Sequence, residues 1–98
     1  MLRHVVMMTF KDDATDDDRN TIVHALRALP DVVSEIRSYS VGSDQGLAEG
    51  NYDLVIVADF DDVDGFAAYN ANVEHQRVIT ELIRPVIAAR SAVQYVVS

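Results

Sequence analysis

Three histidines, His4, His24 and His75, are the side chains of this sequence whose ordinary pKa lies near neutrality. With no cysteine present, thiol catalysis and thiolate metal sites are excluded. His24 falls between the apolar positions Ile22 and Leu26, on the flanking side of an expected helix, and receives no role. His4 alternates with Leu2, Val6, Met8 and Phe10, so it points into whatever apolar space that face lines. A lone histidine there is by default a hydrogen-bonded core residue.

Tyr69 and His75 give His4 possible company. Six residues apart on a continuous helix, they would sit about 240° apart and face away from each other. The intervening Asn70-Ala71-Asn72-Val73 offers a break, because Asn tolerates the left-handed conformation that ends helices. A break near Asn72 lets both side chains converge behind the first strand. Such a pocket would combine an imidazole base, a phenol donor and a second imidazole. That set suits removal of a proton next to a carbonyl and stabilisation of the resulting enolate.

Other chemistries fit poorly. In DFDDVDG at 59–65, counted from Asp59, a calcium loop would need Gly where Asp64 stands and Glu where Asn70 stands. The run DDATDDD at 12–18 has no ligand spacing either, so no metal is expected. No Gly-rich phosphate fingerprint and no serine nucleophile elbow is present.

The elements that must position these residues follow from periodicity and punctuation. Residues 2–10 read as a strand. Thr15, with Asp18 three residues on, caps a helix carrying Ile22, Val23, Leu26 and Leu29, and Pro30 marks its end. Residues 35–42 alternate as a second strand. A loop at 42–51 holds three glycines. Residues 52–60 form the strongest strand signal. Asp61 or Asp62 caps a second helix through Ala71, and 74–84 forms a third with Val78, Ile79, Leu82 and Ile83 as its stripe. A last strand is expected at about 90–97. The order β-α-β-β-α-α-β predicts one α+β domain over 1–98, a ferredoxin-like sandwich with helices on one face of a four-stranded antiparallel sheet.

Strands 1 and 3 carry apolar residues on both faces, Val5, Met7, Val55 and Val57 lying opposite the helices. Three helices cover one face only, so the open face calls for a partner, and the simplest is a second copy. The composition narrows other partners. Sixteen acids against eight cations give a charge of −8 over 98 residues, and seven of the cations are scattered arginines. This disfavours nucleic acid and anionic membranes. No stretch approaches the roughly 18 apolar residues of a membrane span. The N-terminus runs straight into charge without a signal-peptide pattern, so a cytoplasmic location is expected.

The opening RHVVMMTFKDD, the ALPDV turn, the block YDLVIVADFDDVDGFAAY and the downstream His75 resemble the stress-responsive A/B barrel (Dabb) family over nearly the whole chain. The resemblance implies a dimeric α+β barrel of two ferredoxin-like sheets packed face to face. It also implies, from polyketide cyclases of that family, cofactor-free acid–base catalysis of cyclase or lyase type on a carbonyl compound. His75 would be the general base, Tyr69 a hydrogen-bonding partner of the substrate oxygen, and His4 an orienting or polarising group. Members often carry His-Pro between the tyrosine and the last histidine, where Asn72-Val73 stands here. One small apolar pocket per protomer is expected, with no cofactor. The alternatives are a non-catalytic stress-response or small-molecule-binding dimer and, less favoured without a tryptophan, a haem-degrading or antibiotic-biosynthesis-type monooxygenase.

Overall fold

The computed structural model describes residues 1–97. Four strands, β1 (Leu2–Phe10), β2 (Ser38–Ser43), β3 (Leu54–Phe60) and β4 (Ile87–Val96), form one antiparallel sheet in the order β2-β3-β1-β4. Helices α1 (Asp16–Ala28), α2 (Val63–Ala71) and α3 (Val73–Arg77) lie on one face. This is the ferredoxin-like arrangement expected from the sequence.

Helix starts follow side-chain chemistry. Thr15 and Asp18 form a reciprocal capping box on α1, each side chain accepting from the other's backbone N–H at 3.0 Å. The Asp62 side chain accepts from Gly65 N–H at 2.9 Å to start α2. Asp16, Asp17 and Asp18 fill the first turn of α1, at the positive end of its dipole. Asp59 departs from that pattern. It is a strand residue that receives Arg3 through two hydrogen bonds of 2.8 and 2.9 Å and Ser38 through a third.

The core lies between sheet and helices, where alternation puts Val6, Met8, Phe10, Leu54, Ile56, Ala58 and Phe60 against Ile22, Leu26, Leu29 and Val78, all buried. The opposite face carries Val5, Met7, Val55, Val57, Val93 and Tyr95, with Met7, Val93 and Tyr95 each 40% exposed or more. A recess of about 520 Å³ beside it, between Met7, Val55 and the loop bearing Leu47, contains no histidine.

Two local expectations are corrected. The third helix does not run unbroken over 74–84: after Arg77 the chain widens into a π-helical segment, Val78–Ile83, closed by Arg84 N–H on the Ile79 carbonyl at 2.9 Å. β4 then starts at Ile87 rather than 90, because Lys11 N–H takes the Val86 carbonyl and Phe10 pairs with Ile87 across a bulge that leaves Ala88 of β4 unpaired.

Candidate functional site

The helix break forms at Asn72, by a different route from the one expected. Asn72 is extended (φ −60°, ψ 134°), not left-handed. Its side chain is the reason: Oδ1 accepts the free N–H groups of Glu74 and His75 at 2.9 and 3.1 Å and so starts α3. The extended residue reorients α3 against α2, bringing the His75 ring to 4.0 Å from the Tyr69 ring, centroid to centroid, at an interplanar angle of 30°.

His4 reaches the same place from β1. Its ring is 6.1 Å from that of Tyr69 and 4.9 Å from that of Phe66. All three candidate residues are buried and line one cavity of about 320 Å³. Val6, Met8, Leu26, Ile56, Ile79, Ile83 and Ile87 supply its apolar wall. The small apolar pocket expected from the sequence has a polar part beyond the three candidate residues, since Asn70, Gln76, Arg84 and Arg90 also line it. Asn70 comes from α2 and Gln76 from α3, Arg84 follows the π-helical segment, and Arg90 lies on β4. His24, by contrast, is exposed on α1.

The electrostatics keep both imidazoles neutral at pH 7. Burial is the main cause for His4, whose pKa falls to about 4, with the positive charge of Arg90 adding to it. Gln94 Nε2 donates to His4 Nδ1 at 2.8 Å, which leaves the proton of the neutral ring on Nε2. His75 is also lowered, chiefly by burial, while the Asn70 and Tyr69 carbonyls favour its charged form and Arg90 opposes it. Those carbonyls do not complete a hydrogen bond of good geometry, and His75 Nδ1 is buried without a partner.

Tyr39 and Gln94 are site residues that the motif reading missed. The Tyr39 and Tyr69 hydroxyls share a hydrogen bond of 3.0 Å. Burial raises the pKa of both phenols, and for Tyr69 the bond to Tyr39 and the charge of Arg90 offset part of the rise. When Tyr39 donates, the Tyr69 proton is free for a ligand oxygen. The signal for Tyr39 was its alternation with Val41 on β2, and for Gln94 its position on the last strand.

A sequence model described as the stress responsive A/B barrel domain matches residues 2–97. The chain belongs to the Dabb family. A dimeric ferredoxin-like protein of unknown function from Thermobifida fusca shares 38% identity with it, at a TM-score of 0.91, covering 98% of this chain and 90% of that one. A dimeric protein of unknown function with a ferredoxin-like fold from Bacteroides fragilis is 24% identical (TM-score 0.84; 96% and 93% covered). A hydroxynitrile lyase from Passiflora edulis is 16% identical (TM-score 0.87; 99% and 93% covered) and shares the fold. No curated protein matches. No helix among the described residues is long and apolar enough to cross a membrane.

Proposed function

We propose that this Dabb protein is a homodimer in which each pocket carries out cofactor-free acid–base catalysis on a small carbonyl compound, of lyase or cyclase type. The observation that carries the reading is the His75 ring stacked on Tyr69 in a cavity of about 320 Å³ that His4 also lines. His75 removes a proton from the carbon next to the carbonyl. Tyr69, donated to by Tyr39, hydrogen-bonds the developing enolate oxygen. His4, fixed by Gln94, orients or polarises the same group through its Nε2–H.

The dimer forms through the open sheet face, where Val5, Met7, Val55, Val57, Val93 and Tyr95 offer a continuous apolar surface. The dimeric relatives named above support this pairing. A cytoplasmic location belongs to the same proposal and is checked by cell fractionation.

A non-catalytic binding dimer is favoured by one observation, that the Tyr69 hydroxyl is buried and already engaged by Tyr39. Deuterium incorporation next to the carbonyl of small ketones and keto acids in D₂O separates the two. Catalysis predicts incorporation well above the solvent rate, falling about 10²–10⁴-fold in His75→Ala, as for loss of a positioned base. Ligand binding with incorporation at the solvent rate would establish the binding reading instead.

A further inference from the structure

The chain carries a charge of −8, yet among the described residues no carboxylate lines the cavity of His4, Tyr69 and His75, whereas two guanidinium groups do. The remaining cations have partners elsewhere. Arg3 meets Asp59, Arg37 meets Asp61, and Arg77 meets Glu74 and Glu81. Arg27 donates to the Val41 carbonyl, Lys11 to the Pro85 carbonyl, and Arg19 lies over the Phe10 ring. Arg84 and Arg90 stand apart: among the described residues, neither side chain has a carboxylate within ion-pair distance or a hydrogen-bond partner.

Their placement is fixed by backbone. Arg90 pairs with Met8 on β1, and Gln94, which holds His4, lies four residues further along β4 on the same face. Arg84 closes the π-helical segment whose Ile79 and Ile83 form part of the cavity wall. A carboxylate suits this pair, since the planar fork of an arginine matches its two oxygens and leaves the apolar wall for the rest of the molecule.

We propose that the molecule bound in this pocket is a carboxylic acid, its carboxylate held by Arg90 and Arg84 and its apolar body against Ile79, Ile83 and Ile87. Combined with the catalytic reading, on which this extension rests for the reacting group, the substrate class is a small apolar keto acid. The charge preference itself needs no turnover to be observed.

The test compares the protein with its Arg90→Gln and Arg84→Gln variants by following the imidazole signals of His75 in NMR titrations. The probes are isosteric pairs, benzoate with benzamide and hexanoate with hexanamide, together with phenyl phosphate. Each carboxylate is expected to bind at least about tenfold more tightly than its amide, a preference that Arg90→Gln removes while amide binding stays unchanged. Carboxylate binding also raises the His75 pKa by offsetting the charge of Arg90, and amide binding does not. Equal affinity for acid and amide, or no carboxylate binding up to 10 mM (about a hundredfold above a ~0.1 mM ligand), overturns the proposal. Tighter binding of phenyl phosphate overturns the assignment to a carboxylate. A carboxylate preference without deuterium incorporation leaves this inference standing and refutes the catalytic reading alone.

Discussion

Acid should destabilise this protein through His4 as the pH falls from about 6.5 to about 4. His4 is 4% exposed and has a folded-state pKa of about 4, against 6.5 for the free side chain. The unfolded chain therefore takes up this proton first as the pH falls. The contribution is fully present above about pH 6.5 and is lost as the pH drops through the interval to 4. At 1.36 kcal/mol per pKa unit, a shift of that size removes roughly 2 kcal/mol by pH 5 and about 3 kcal/mol by pH 4. The hydrogen bond from Gln94 should be lost with it, because a protonated Nδ1 cannot accept. Urea unfolding followed by circular dichroism, at one protein concentration and at pH 7 and pH 4, measures the effect. His4→Gln supplies the control, since glutamine does not titrate. The native protein is expected to lose about 3 kcal/mol more than the variant over that interval, on the linkage above. Equal losses in the two proteins would refute the argument that His4 is held neutral by burial.

Three further outcomes follow from named contacts. Asn72→Ala removes the cap on α3 and should cost about 1 kcal/mol, with a shifted His75 imidazole signal in NMR as the mark of a displaced ring. Tyr39→Phe deletes the hydroxyl that bonds Tyr69; stability should fall by about 1 kcal/mol, and ultraviolet titration should find the Tyr69 pKa higher still, since that bond lowers it. Val93→Lys places a charge on the open sheet face, where Val93 is 54% exposed in the protomer. Sedimentation at micromolar concentration should then show monomers with unchanged circular dichroism, and an intact dimer would argue for a different interface.

The strands, the sheet face on which His4 lies and the capping of α1 were legible because each rests on local pattern. Alternation along Leu2–Phe10 fixes which side chains share a face, and Thr15 with Asp18 satisfies helix N–H groups within four residues. The site was legible only as a possibility. Whether Tyr69 and His75 converge depends on the backbone at Asn72, which adopted an extended conformation because its side chain had two N–H groups to cap. The π-helical widening after Arg77 gave no periodic signal, since Val78, Ile79, Leu82 and Ile83 fit an ordinary helix equally well. Tyr39, Gln94 and Arg90 entered the site through strand register, and register depends on pairing between segments distant in sequence. Arg90 and Met8 are neighbours only once β4 is laid against β1.

The central claim is that a neutral His75 acts as a base on a ligand in the pocket, and the pH profile of deuterium incorporation into a keto acid tests it most directly. His75 works when deprotonated, and burial holds its pKa below 6.5. The account predicts a rate that rises with pH through a single ionisation below 6.5, is level from there through pH 8, and loses that ionisation in His75→Asn. A profile still climbing above pH 7, or one unchanged by His75→Asn, would contradict it.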